Sequence, residues 1–118
     1  MVNNPLPQVP MTPVVFEILL ALADQDRHGY GIMLEVERRT EGSIKLGPGT
    51  LYGAIKRMLS AGAVEESADR PDPALDDKRR RYYRLTEQGR EAAIAEASRL
   101  ERLVRHAHEK QLLPNTSS

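Results

Sequence analysis

Two clusters hold the residues best equipped for chemistry, and that chemistry is the recognition of anions rather than the making of bonds. In LGPGTLYGAIKRMLSAGAVEE, residues 46–66, helical spacing sets Thr50, Tyr52, Gly53, Lys56, Arg57 and Ser60 opposite an apolar stripe of Leu51, Ile55, Met58 and Leu59. Hydroxyls and a lysine suit phosphate oxygens, and Arg57 can grip a guanine edge with two parallel hydrogen bonds. Gly49 and Gly53 remove side chains where backbone and ligand would meet closely. The plain alternative is a solvated helix face that happens to carry a Lys–Arg pair. The second cluster is KRRRYYR at 78–84, where Lys78, Arg79, Arg80 and Arg81 follow one another. So dense a run repels itself unless an anion lies near. Asp72, Asp76 and Asp77 of the preceding loop could supply one, but exposed pairs are worth only about 0–1 kcal/mol and a nucleic-acid backbone could displace them.

The glycines of the first cluster invite a nucleotide reading that the spacing refuses. A phosphate-binding loop needs G-x-x-x-x-G-K-[ST], whereas the last glycine of GPGTLYGAIK is followed by Ala54 and Ile55. No parallel βαβ unit is present for a dinucleotide. His106 and His108 point apart on a helix and His28 is remote, so no metal site and no cofactor are expected. Neither a Ser–His–Asp grouping nor a carboxylate pair can be placed in a cleft. The chain reads as a binding protein, not an enzyme.

Composition sets the frame. The 118 residues are 40% hydrophobic and 29% charged, suited to a single soluble domain. With no tryptophan and a single phenylalanine the core must be aliphatic, and without cysteine there is neither disulfide nor thiolate site. No apolar stretch approaches the roughly 18 residues of a membrane span. MVNNPLPQVP lacks the features of an export signal, which makes a cytoplasmic location the expectation. Formal net charge is zero, yet the first 44 residues lean acidic, and Lys45, Lys56, Arg57 and the 78–84 run make a basic middle. Counterion release depends on such local charge.

The positioning elements follow in order. Residues 1–11 read as a flexible arm. Thr12 and Pro13 open a helix through VVFEILLALADQ. Its stripe of Val15, Ile18, Leu19 and Leu22 is joined by Val14, Phe16 and Leu20 on other sides, which predicts burial on several faces and a partner subunit. DQDRHG at 24–29 reads as a turn. Helix YGIMLEVERRT should put Ile32, Met33 and Val36 inward and Glu35, Arg38 and Arg39 outward, with Gly42 as its left-handed stop. Gly47 caps and Pro48 begins the next helix, Leu46 and Leu51 form a hydrophobic staple, and Gly62 ends it. AVEESA at 63–68 and RRRYYRL at 79–85 read as strands around the loop DRPDPALDDK. Arg81, Tyr83 and Leu85 share one strand face, and Arg80, Tyr82 and Arg84 the other. Thr86 caps a last helix reaching about Leu112, before a disordered tail at 114–118. Ala93, Ala97, Leu100, Val104 and Ala107 recur by four and three along it, a seam for a twofold partner.

Two helices joined by a short link and followed by a hairpin make a winged helix-turn-helix, mainly α with a two-stranded wing. It should span residues 12–85, with a dimerisation helix at 86–113. In this order HGYGIM at 28–33, LGPGTLYGAIKRMLSAGAVEE at 46–66 and RRYYRLTEQGR at 80–90 resemble the PadR family of bacterial transcriptional regulators. The resemblance implies a homodimer on double-stranded DNA at a palindromic operator, repression of nearby genes, and often relief by a small-molecule effector. It places DNA contacts on Thr50, Tyr52, Lys56, Arg57 and the wing. Gly47 stands where relatives often carry serine and Gly53 where many carry proline. No tail-helix tryptophan is present, so stacking of flat drugs there does not carry over. The competing expectation is a winged-helix module that binds protein and not DNA.

Overall fold

The computed structural model describes residues 10–68 and 81–114. Seven elements occur in the described residues: α1 (Pro13–Leu22), β1 (Arg27–His28), α2 (Gly29–Arg39), α3 (Pro48–Ser60), β2 (Val64–Ser67), β3 (Tyr82–Leu85) and α4 (Glu87–Glu109). The polar arm before Pro10, the loop at 69–80 that includes Lys78, Arg79 and Arg80, and the tail after Pro114 lie outside the described residues.

Local chemistry sets the helix boundaries. The Thr12 hydroxyl accepts from the Val15 amide at 3.1 Å, and Pro13 begins α1 without a wasted donor. α1 carries no basic residue in its last turn, so tertiary arginines cover its terminal carbonyls. Arg27 Nε donates to Ala21 O at 2.7 Å, and Arg90 Nη2 donates to Ala23 O at 3.1 Å. Cations there also complement the helix dipole. Glu41 (φ 54°) and Gly42 (φ 82°) turn the chain after α2. Thr40 braces that turn, donating its hydroxyl to Val36 O at 2.8 Å and accepting from the Ile44 amide at 3.2 Å.

The core is aliphatic, as composition requires. Ile18, Leu19, Ile32, Val36, Leu51 and Met58 have no exposed surface, and Tyr83 closes the sheet side. Each such aliphatic side chain contributes about 1.5–3 kcal/mol by burial. The expectation that Val15, Ile18, Leu19 and Leu22 meet a partner subunit is corrected here. They are at most 3% exposed and are enclosed by α2, α3 and the sheet of the same protomer. Val14 and Phe16, on the other sides of α1, are only half-buried, and Leu20 stays 36% exposed.

Two further expectations change. DQDRHG is not only a turn: Arg27 and His28 add β1 to the hairpin, giving a three-stranded antiparallel sheet ordered β1-β3-β2. That extra strand explains why the neighbours Tyr82 and Tyr83 are both buried although they face opposite ways. Tyr83 packs on the core, while Tyr82 meets the His28 ring edge-on at 5.2 Å. Glu35, expected outward, keeps only 12% of its side chain exposed. It bonds to Arg38 at 2.7 Å, with Arg39 at 3.6 Å and Arg27 at 3.8 Å, and Arg39 also grips the Glu17 carboxylate of α1. The Arg38 hydrogen bond, opposed by burial and helped by the three guanidinium charges, holds the Glu35 carboxyl below its usual range.

Candidate nucleic-acid interface

α3 is held so that one face is sealed and the other is open. Gly47 caps it without a side-chain bond, so the staple of Leu46 and Leu51, both buried, fixes its approach. Leu51, Ala54, Ile55 and Met58 then fill the core, and the left-handed Gly62 (φ 79°) stops the helix and turns the chain into β2. What remains outside is the sequence-derived face: Thr50, Tyr52, Lys56, Arg57 and Ser60 are exposed and Gly53 is half-buried. The point where a Gly53 Cβ would stand is 3.7 Å from the Arg57 guanidinium, which lies over it.

Tyr52 has a second role that its spacing did not reveal. Its ring is 47% exposed, but its hydroxyl lies over Gly29 at the start of α2, 2.1 Å from where a Cβ would be. The glycine of HGYGIM therefore makes room for the tyrosine of GTLY, and the two helices register through that contact. Beside it, His28 Nδ1 accepts from the Gly31 amide at 3.0 Å and caps α2.

The wing follows α3 directly. Arg81 is exposed, and its guanidinium donates to Glu66 of β2 at 2.9 Å. Arg84 donates to Glu65 at 2.8 Å. These carboxylates are the partners that the sequence reading missed. Part of the signal was available in principle: pairing VEES against YYRL sets Glu65 across from Arg84, with Glu66 across from Tyr83 and so diagonal to Arg81. On the core-facing side, burial pushes the Tyr83 hydroxyl above its ordinary range.

α4 is rooted at this same point and then leaves the body. Gly89 is buried, and a Cβ there would stand 1.9 Å from the Ala63 carbonyl. Of the expected seam, Ala93 packs on its own core. Ala97, Leu100, Val104 and Ala107 lie beyond it, alongside Leu103, and Val104 is 47% exposed. The helix stops at Glu109, sooner than expected, because Gln111 turns left-handed (φ 64°) and the Leu112 amide closes onto Ala107 O at 2.8 Å.

The family model "Transcriptional regulator PadR-like family" matches residues 18–95. The chain belongs to the PadR-like family. Among relatives of this PadR-like chain, a transcriptional regulator of Mycobacterium tuberculosis is 35% identical over 92 residues, covering 78% of this chain and 79% of that one. A 37.1 kDa protein in transposon TN4556 of Streptomyces fradiae is 37% identical over 86 residues. The chain spans 22% of that relative's length, and 64% of a Lysinibacillus sphaericus relative that is 34% identical. A solved transcriptional regulator from Clostridium thermocellum has 27% identity and a TM-score of 0.67, covering 82% of this chain and 90% of that one. Bacillus subtilis PadR, solved with operator DNA, shares the fold at 19% identity and a TM-score of 0.58, over 73% of this chain and 47% of that one. PadR-like proteins are transcriptional regulators rather than enzymes, in keeping with the sequence reading. Among the described residues no helix is long and apolar enough to cross a membrane.

Proposed function

We propose that this PadR-like chain is a homodimeric, sequence-specific DNA-binding regulator that represses nearby genes from a palindromic operator and is released by a small-molecule effector. One observation carries the reading: Thr50, Lys56 and Arg57 stand exposed on a helix whose opposite face, Leu51, Ala54, Ile55 and Met58, is buried in the core. Such a helix is rigidly held and presents phosphate-binding and base-reading groups outward. In this reading Thr50, Tyr52, Gly53 and Lys56 meet the backbone, Arg57 reads a base, and Lys78, Arg79, Arg80 and Arg81 lie along a neighbouring groove.

The dimer is supported by the apolar residues that α4 carries away from its own core. Ala97, Leu100, Leu103 and Val104 fit a second copy of the same helix, whose twofold axis would set two α3 helices about 34 Å apart. Release by an effector is the consequence the family suggests for ligand-induced change at that axis.

Selection of bound fragments from a random DNA pool by the purified protein is the decisive experiment. A palindromic consensus, bound with affinity that falls steeply as salt rises, is expected. Failure to enrich any sequence, together with retention of a stable protein partner, would favour the protein-interaction module instead.

A further inference from the structure

Glu65 and Glu66 stand beside the exposed wing cations Arg84 and Arg81. The strand register explains how. Glu65 stands directly across from Arg84, and Glu66 stands across from Tyr83, on the same face as Arg81 two residues away. One pair therefore sits on each face of the hairpin, at 2.8 Å and 2.9 Å. Burial is not their purpose. Arg81 is 70% exposed and Glu66 50%, Arg84 44% and Glu65 48%. Exposed pairs of this kind add about 0–1 kcal/mol to stability, and β2 is anchored by other means. Val64 enters the core, and the Ser67 hydroxyl donates to Asp26 at 2.5 Å.

We propose that Glu65 and Glu66 are specificity-determining residues, which compete with DNA phosphates for Arg84 and Arg81 and so restrain sequence-independent binding. The inference rests on the DNA-binding reading above. A carboxylate offers the guanidinium the same kind of anionic oxygen as a phosphate. DNA must displace it, and the displaced carboxylate then remains as a neighbouring negative charge. Binding to random sequence consists almost wholly of such phosphate contacts, so it bears the full effect. Base reading by α3 is untouched. Among the described wing residues, Arg81 and Arg84 are each matched by one glutamate.

The test uses the full chain and its E65Q, E66Q and E65Q/E66Q variants. Fluorescence anisotropy would follow a selected operator duplex and a random duplex of equal length across a salt series. Each substitution should tighten binding to the random duplex about three- to fivefold at low salt. It should also steepen the salt slope by about one. The operator should tighten less than the random duplex does, and equal tightening of the two would overturn the specificity role. E109Q, at the far end of α4, removes the same unit of charge and should change neither. Unchanged or weaker random binding by the double variant, with a wild-type melting curve, would overturn the proposal. So would equal tightening by E109Q, which would reduce the effect to net charge. If wild type selects an operator and the double variant matches it on both duplexes, only this inference fails. If neither protein binds either duplex, the DNA-binding reading fails and takes this one with it.

Discussion

The Thr86 hydroxyl donates to the Gly62 carbonyl at 2.5 Å while its oxygen accepts from the Gly89 amide at 3.0 Å. The Thr86 amide completes the joint by donating to Ala63 O at 3.1 Å. A single threonine thus caps α4 and ties its first turn to the bend that ends α3. The helix proposed to read DNA and the helix proposed to pair the subunits share one hydrogen-bonded junction.

Gly89→Ala tests that junction. Alanine at a free helical site stabilises by roughly 0.5–1 kcal/mol. Here the added methyl meets backbone at 1.9 Å, so the sign should reverse. A loss of about 1–3 kcal/mol is expected, read as a fall in melting temperature of roughly 4–8 °C per kcal/mol. A variant as stable as wild type would show that α4 can shift without cost.

Leu100→Glu and Leu19→Glu should fail in different ways. Leu100 lies beyond the core, so its charge should leave the protomer folded and weaken self-association at least a hundredfold, the ~3 kcal/mol of an uncompensated buried charge. Leu19 is wholly enclosed, and its replacement should unfold the chain. Sedimentation together with circular dichroism separates the outcomes. A dimeric Leu100→Glu protein would exclude α4 as the pairing surface.

Arg57→Ala and Arg81→Ala should also part company. Loss of the α3 arginine should relax base preference at one operator position and cost about 1–3 kcal/mol there. Loss of the wing arginine should weaken all sequences alike and flatten the salt slope. Competition binding against single-base operator variants reads both, and identical profiles would contradict the assigned roles.

Glu35 gives a pH prediction. Its carboxyl is held below the ordinary value of 4.5 in the folded chain, chiefly by the Arg38 hydrogen bond. Its contribution is therefore complete above the unfolded value and is lost as pH falls through the lower folded one. Denaturant midpoints should decline below about pH 4.5, and Glu35→Gln should flatten that decline while lowering stability at neutral pH. An unchanged acid limb would show that the arginine cluster does not hold this carboxylate.

Much of this architecture was legible because its signals are local. Thr12–Pro13, Leu46 with Leu51, Gly42, Gly62 and Thr86 each act within a few residues, and each acts as its spacing indicated. What escaped depends on residues distant in sequence. Arg27 and His28 become a strand only because Tyr82 and Tyr83 come alongside. Glu35 is covered because Arg27, from outside its helix, joins Arg38 and Arg39 around its carboxylate. The open face of α3 could be read from periodicity alone, since burial of Leu51, Ile55 and Met58 forces Lys56 and Arg57 out.

α4 is clamped at Thr86, Gly89 and Arg90, and Ala93 is its last residue packed on the core. The remaining stretch to Glu109 is a lever of roughly 24 Å at 1.5 Å per residue. A tilt of about five degrees at the root moves the tip by about 2 Å. In the proposed dimer, run in reverse, a small wedge between paired tips would swing the heavy end of each subunit and alter the stride between the two α3 helices. Stiffness at the fulcrum turns a modest displacement at one extremity into a misfit at the other.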